Sequence, residues 1–108
     1  MELSFATEQL RGICESRRRA VTRLGVDAAR ALEMVLADID ACQSVAELTA
    51  LYGDQVKSSS SDNWQVTLEG ETMMFFLSGH VSTPKKKDGR IDWNKVTRVR
   101  IESIEIAL

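Results

Sequence analysis

The sequence predicts an α+β fold in which a small antiparallel β-sheet carries two to three N-terminal helices on one face. Two observations support this prediction. Apolar residues recur at helical spacing in the first half of the chain and alternate with polar residues in the second half. The resulting order of strand, helices and then three strands is typical of helices packed on one face of a sheet. A length of 108 residues indicates one domain, spanning residues 1–108.

A short strand and a first helical segment are predicted at the start. Leu3-Ser4-Phe5 alternates apolar and polar side chains, as a half-buried strand does. Thr7 suits the N-cap of a helix that Gly25 would end. The helical spacing is interrupted near Ser16, so one long helix and two shorter helices both fit this segment.

Two further helices are predicted before the strands. A broad apolar stripe begins near Val26 and predicts a long helix with one buried side. Ser44 and Glu47 have the spacing of a capping box, which predicts a short helix ending by Gly53.

The second half predicts three strands joined by polar connections. Lys57–Asn63 is rich in serine and predicts a loop. Trp64–Leu68 alternates as a half-buried strand does, and the almost wholly apolar run Thr72–Leu77 predicts a central strand covered on both faces. Residues 79–93 predict a long basic loop, and Val96–Ile106 predicts the last strand.

Two details of the predicted core follow from these patterns. Trp64 and Phe75 should face the helical stripe, and Met73 and Met74 should also be core residues. The stripe residues expected to face them are Leu32, Val35, Leu36 and Ile39. In the last strand the apolar spacing changes after Ile101, so a bulge is expected near Ser103.

Composition excludes several classes of protein. Hydrophobic residues make up 44% of the chain and charged residues 28%, which is typical of a folded globular domain. The longest apolar run, residues 73–77, is too short to span a membrane, and no signal peptide is recognisable, so a cytoplasmic protein without membrane contact is expected. Cys14 and Cys42 lie on apolar helical stripes and are expected to be buried free thiols. No metal-binding motif and no cofactor motif is present.

The charges are segregated along the chain. Seven bases and two acids lie between residues 84 and 100, whereas residues 31–54 hold five acids and no base. Lys85-Lys86-Lys87 lies in the predicted loop, and Arg98 and Arg100 share one face of the last strand. Such segments can follow a nucleic-acid backbone, although solvated charged surfaces would look the same. His80 is the only histidine, and in this basic loop it could contact RNA or transfer a proton.

The order and spacing of several segments resemble the RelE/HigB-type toxins of bacterial toxin–antitoxin systems. The most specific stretch is Asp88-Gly89-Arg90-Ile91-Asp92-Trp93-Asn94-Lys95-Val96-Thr97, and Met1–Thr7, Leu10–Ser16, Ala20–Gly25 and Ser44–Leu48 also contribute. The resemblance implies a RelE-like α+β fold and metal-independent cleavage of mRNA on the ribosome. It also implies a helix-turn-helix, HigA-like antitoxin as partner and leaves a homodimer open.

Residue roles follow from this resemblance together with the charges. The predicted catalytic residues are His80, Lys57 and Arg98. The predicted RNA-binding residues are Lys85, Lys86, Lys87, Arg90 and Arg100.

The sequence also departs from the family at positions that carry chemistry. Met73 stands where the family commonly has an arginine, and Ala107-Leu108 stands where many members end in Tyr-His. These side chains cannot transfer a proton or stabilise an oxyanion. Three functions therefore remain open: a weakened mRNA endoribonuclease, a toxin-like protein that binds an antitoxin, RNA or the ribosome without cutting, and a homo-oligomeric scaffold.

Overall fold

A five-stranded sheet and four helices make up the described part of the chain, residues 1–58 and 63–106 of a computed structural model. In chain order the elements are β1 (Glu2–Phe5), α1 (Glu8–Glu15), α2 (Arg17–Leu24), α3 (Val26–Ala41), α4 (Val45–Tyr52), β2 (Val56–Ser58), β3 (Asn63–Glu69), β4 (Thr72–Ser78) and β5 (Arg98–Ile106). The predicted α+β class is confirmed, with four helices in place of the two to three expected. No helix in these segments is long and apolar enough to cross a membrane.

Side-chain caps define where the helices begin. Ser16 ends α1 and also caps α2, because its hydroxyl accepts a 3.3 Å hydrogen bond from the Arg19 N–H. The two-helix alternative for this segment is therefore correct. Ser44 caps α4 in the same way by accepting from the Glu47 N–H, and the Glu47 carboxylate accepts from the Gln43 N–H. The predicted capping at Ser44 is confirmed.

The sheet is mixed, whereas a purely antiparallel sheet was predicted. Its strand order is β1-β5-β4-β3-β2. Neighbours from β2 to β5 are antiparallel, but β1 runs parallel to β5, with Glu2 beside Arg98. No hairpin fixes the relative direction of β1 and β5, because the helices and three other strands separate them along the chain.

Strand β2 is the element that the sequence did not predict. Lys57 and Ser58 were assigned to a loop, but they pair with β3, and Lys57 lies opposite Gln65. Asn63, assigned to the same loop, begins β3. A three-residue strand is too short to show a period of two, which explains the error. Residues 59–62 lie outside the described residues, as do Ala107 and Leu108.

The core lies between the helices and one face of the sheet. Trp64 is 3% exposed and stacks on Phe76 with ring centroids 5.2 Å apart. Trp93 covers Trp64 from the long loop, with centroids 3.9 Å apart. The placement of Trp64 in the core is confirmed. Of the helical residues expected opposite it, Leu32, Val35 and Ile39 are buried and Leu36 is half-buried.

The prediction is wrong about which side chains of β4 face the core. Thr72, Met74 and Phe76 are buried among the core residues, whereas Met73 and Phe75 are half-buried and lie on the opposite side. β4 is therefore covered on one face only.

A bulge in β3 explains this error. Glu69 pairs with Thr72, but Thr67 pairs with Met73, so Leu68 is an extra residue in β3. An unbulged hairpin would place Phe75 opposite Val66, on the core face. The extra residue shifts the register by one, and a one-residue shift turns every side chain of a strand to the other face. Phe76 therefore takes the core position predicted for Phe75.

The bulge predicted near Ser103 is confirmed. Phe75 pairs with Ser103 and Phe76 with Ile101, which leaves Glu102 as the extra residue of β5. The strand itself begins at Arg98, two residues later than predicted.

Candidate nucleic-acid interface

The sheet has a second face, opposite the helices, which we call the open face. Its residues are identified by pairing and alternation: Glu2 and Ser4 from β1, Arg98, Arg100, Ser103 and Glu105 from β5, Met73, Phe75 and Leu77 from β4, Asn63, Gln65 and Thr67 from β3, and Lys57 from β2. Those on the outer strands are mostly exposed, and those of β4 are half-buried. Five strands therefore present a solvent-accessible surface with an apolar centre.

Phe75 lies at the middle of this surface. Its register partners on the two sides are Gln65 and Ser103, and Lys57 continues the same row on β2. Met73 and Leu77 flank it along β4. An aromatic ring with polar neighbours on a sheet surface can stack against an unpaired base, while amide and hydroxyl groups bond to its edges.

Two arginines border the apolar centre on β5. Arg98 pairs with Glu2 at 2.9 Å, and Arg100 pairs with Glu102 at 2.5 Å. Their side chains are 52% and 47% exposed. Ion pairs in such wet surroundings are weak, so a phosphate can compete for either guanidinium. Both arginines therefore lie on the open face, as their shared strand face predicted.

His80 lies at the end of the sheet, next to the start of β5. Its Nε2 accepts a 3.0 Å hydrogen bond from the Thr97 N–H, and the neighbouring Gly79 N–H donates to the Arg98 carbonyl at 2.8 Å. An accepting Nε2 carries no proton, so the proton of the neutral ring is on Nδ1. His80 thus holds the β4–β5 connection in place, and only Nδ1 is left for another partner.

The three predicted catalytic residues lie on separated parts of the sheet. His80 and Arg98 are neighbours, but Lys57 is on β2, and β3 and β4 separate β2 from β5. Three strand spacings amount to about 14 Å. The cross-strand row of Lys57 also reaches β5 at Ser103 and not at Arg98, so Lys57 does not lie beside the His80–Arg98 pair.

The predicted RNA-binding lysines lie in a tight turn of the loop that joins β4 to β5. Lys85 bridges to Ile91, and the Lys86 N–H donates to the Arg90 carbonyl at 2.7 Å. Arg90 pairs with Asp88 at 2.7 Å, and this pairing lowers the pKa of the Asp88 carboxyl. In residues 1–58 and 63–106, no carboxylate lies within 4.0 Å of Lys85, Lys86 or Lys87.

The rest of this loop is anchored on the helical side. The Ala46 N–H donates to the Trp93 carbonyl at 3.2 Å, and the Val45 N–H donates to the Val96 carbonyl at 3.0 Å. The lysine turn (residues 85–91) is therefore held at one end of the sheet. It belongs to the connection between the end of β4 and the start of β5, and the anchoring contacts of that connection with α4 and Trp64 are on the helical side of the sheet.

Other reactive groups are suppressed by burial. Burial, with a smaller effect of Glu15, raises the pKa of the Cys14 thiol to about 11. Burial also raises the pKa of Cys42, and burial together with the hydrogen bond to Asp38 raises that of Tyr52. Neither thiol is a nucleophile near neutral pH, because the thiolate is the reactive form. Cys42 is buried and Cys14 half-buried, and both are free thiols.

Neither a metal-binding cluster nor a similar known protein gives further information about this site. Across residues 1–58 and 63–106, no three His, Cys, Asp or Glu side chains are grouped closely enough to hold a metal ion. Comparison of the chain with protein-family models, curated proteins and solved structures finds no significant match. The RelE/HigB assignment therefore stays a prediction from the residues.

Sequence reasoning missed the most distinctive residue of the site, Phe75, because it was assigned to the core. No signal within β4 could have found it, because every residue from Met73 to Leu77 is apolar and either set of alternate positions could face the core. Met73, where the resemblance implies an arginine, lies on the same open face. An arginine at this position would therefore have been at the surface.

Proposed function

We propose that the chain is a RelE/HigB-like, toxin-type domain that binds single-stranded RNA on its open face and has little or no cleavage activity. The observation that carries the proposal is the position of Phe75. It is a half-exposed ring at the centre of a five-stranded surface, with Gln65 and Ser103 beside it. Stacking on such a ring needs unpaired bases, which favours a single strand over a duplex.

Charge supports the same ligand. The open face itself is balanced, since its arginines are matched by nearby glutamates. The lysine turn adds positive charge without a carboxylate partner in the connection that leads into β5. We therefore assign base contact to the open face around Phe75 and phosphate contact to Lys85–Lys87, Arg98 and Arg100.

The arrangement argues against efficient cleavage. A metal-independent ribonuclease needs a group that moves protons and a cation near the same phosphate. Here Lys57 is remote from Arg98, the Nε2 of His80 is engaged, and Met73 offers neither function. His80 and Arg98 are the pair from which residual activity would come.

RNA binding is tested by fluorescence anisotropy with a labelled, U-rich single-stranded oligonucleotide. We expect Phe75→Ala to weaken binding by about 5- to 150-fold, because base–aromatic stacking is worth about 1–3 kcal/mol. The matched control is Met34→Ala, which removes a 62% exposed apolar side chain from α3. Equal affinities of the two variants would remove the open face from the proposal.

The phosphate contacts are tested by salt dependence. Replacing Lys85, Lys86 and Lys87 together with Ala should flatten the plot of log K against log salt by about 0.7 for each phosphate that the variant no longer neutralises. An unchanged slope would exclude the lysine turn as part of the RNA interface.

Cleavage is tested separately, in a translation assay with primer extension and by expression without an antitoxin. We expect growth to continue and no strong cut sites to map. Prompt arrest with mapped cuts that His80→Ala abolishes would show an active ribonuclease instead. Copurification with the product of an adjacent helix-turn-helix reading frame tests the antitoxin that the resemblance implies.

A further inference from the structure

A basic groove lies between α1 and α2, away from the open face. It is open to solvent, has a volume of about 530 Å³ and is lined by Gln9, Ile13, Ser16, Arg18, Arg19, Thr22 and Arg23. This volume is in the range of small-molecule sites. We propose that the groove binds a ligand with adjacent phosphates, such as a nucleoside di- or triphosphate. The site is separate from the proposed RNA surface and does not depend on it.

The charges of this groove are unbalanced. Arg11 and Arg17, on the same two helices, are matched by Glu15 and Glu33. Among the described residues, by contrast, no carboxylate lies within 4.0 Å of the three arginines of the groove, Arg18, Arg19 and Arg23. Three unmatched positive charges therefore line one concave surface, which attracts an anion of several charges.

Gly12 makes room for one of the arginines that line this groove. Glycine in the middle of a helix is unfavourable, and Gly12 lies inside α1. A Cβ at this position would clash with Nη1 of Arg19. The glycine therefore makes room for the Arg19 guanidinium against the backbone of α1.

Hydrogen bonds hold the backbone that carries the arginines. The Ser16 hydroxyl accepts from the Arg19 N–H, and the Thr22 hydroxyl donates to the Arg18 carbonyl at 2.9 Å. Ile13, which is 9% exposed, gives the groove an apolar floor. A fixed backbone with apolar packing beneath several guanidinium groups is suited to a phosphorylated organic ligand.

The number and type of donors favour phosphate. A guanidinium presents paired N–H groups that match two oxygens of one phosphate. Three of them can engage two or three linked phosphates, whereas a single carboxylate would use only one. Linked phosphates of a free nucleotide and phosphates of an RNA backbone share this chemistry, so the experiment separates the two sources.

The probe is sodium tripolyphosphate, titrated into the full chain by calorimetry at low salt. We expect the variant with Arg18, Arg19 and Arg23 all changed to Gln to bind about tenfold more weakly or worse, since each exposed ion pair contributes modestly. The matched control changes Arg11, Arg30 and Lys95 to Gln, which removes the same amount of charge from residues that line neither the groove nor the proposed RNA surface. An equal fall in affinity in both triple variants, or no heat of binding to the unchanged protein, would overturn the proposal.

A second variant keeps the test independent of total charge. Gly12→Ala retains every arginine, yet its methyl group displaces the Arg19 guanidinium from its place on α1. We expect weaker tripolyphosphate binding with no fall in the thermal midpoint, because alanine is the better helix former. Unchanged affinity in Gly12→Ala would contradict the role assigned to Arg19.

Competition identifies the source of the phosphates. ATP should displace tripolyphosphate, and an oligonucleotide without a terminal phosphate should not. Displacement by the oligonucleotide and not by ATP would overturn the assignment to a free nucleotide. Phe75→Ala should leave tripolyphosphate binding unchanged, so failure of the RNA proposal and failure of this one give different results.

Discussion

The two faces of the sheet differ sharply, although their residues alternate along the same strands. On the covered face, Met74 and Phe76 are 0% exposed and pack beneath the helices. On the open face, Met73 and Phe75 are half-buried among glutamine, serine and charged neighbours. The same residue types therefore serve stability on one side and are available to a ligand on the other. A single extra residue in β3 decides which side chains of β4 lie on the covered face and which lie on the open face.

The strongest test of this difference between the faces is to replace Met73 and Met74, one at a time, with a charged residue. Met74→Arg would bury an unpaired guanidinium and should reduce the free energy of unfolding by more than about 4 kcal/mol. Met73→Arg lies between Thr67 and Glu105 in the register, so its effect should stay within about 1 kcal/mol. Urea denaturation followed by circular dichroism measures both. An unfolded Met73→Arg beside a folded Met74→Arg would mean that the faces are assigned the wrong way round.

Met73→Arg also tests function, because it restores the arginine that the resemblance implies. The variant should fold, so its ribonuclease activity can be measured without loss of structure. A gain of mapped cuts would indicate a site in which methionine has replaced a catalytic arginine.

The adjacent phenylalanines give the next largest contrast. Phe76→Ala removes a fully buried ring and should lower stability by about 3–5 kcal/mol. Phe75→Ala removes a half-exposed ring and should cost about 1 kcal/mol. Because the two variants have identical composition, a difference between their urea midpoints reports which face of the sheet each ring lies on. Similar midpoints would show that the open face is covered.

These two residues also show what the sequence could predict. The α+β class, the break at Ser16, the cap at Ser44 and the bulge near Ser103 follow from local patterns that a few residues carry. The facing of Phe75 does not, because it depends on an extra residue in the neighbouring strand. Every position of β4 from Met73 to Leu77 is apolar, so alternation within β4 offers no check.

The candidate site was predictable only in part, for a related reason. Arg98 and Arg100 were placed on one strand face because alternation within a strand is local. The separation of Lys57 from Arg98 depends on β2, a three-residue strand that leaves no signal, and on the order of strands in the sheet. Neither feature can be read from the spacing of charges along the chain.

The helical layer can be tested by alkaline pH, with a smaller expected effect. Folding raises the pKa of Cys14 from 9.0 to about 11, so the folded state favours the neutral thiol. Its contribution is complete below pH 9 and disappears as the pH rises through about 11. Thermal melts from about pH 8 to about pH 11 should show a decline that Cys14→Ala reduces by about 1 kcal/mol, allowing for partial exposure. An identical decline in both proteins would assign the effect to other groups, such as Tyr52.

The smallest effect concerns the ion pair between Glu2 and Arg98 at the edge of the open face. Both side chains are more than half exposed, so a double-mutant cycle with Glu2→Gln and Arg98→Gln should give a coupling of about 0.2–1 kcal/mol. Salt should reduce it further, since charges in water are screened within about 10 Å at about 0.1 M.

RNA binding makes this weak pair informative. If Arg98 contacts phosphate, Glu2→Gln should strengthen binding at low salt by removing a competing carboxylate, and Arg98→Gln should weaken it. Arg17→Gln, which breaks a comparable exposed pair with Glu33 on the helical layer, should leave RNA affinity nearly unchanged. Opposite shifts from the two partners of one ion pair cannot arise from a change in stability alone, because removing either partner breaks the same ion pair. Parallel shifts would instead place the RNA elsewhere and leave the Glu2–Arg98 pair as a link between β1 and β5 only.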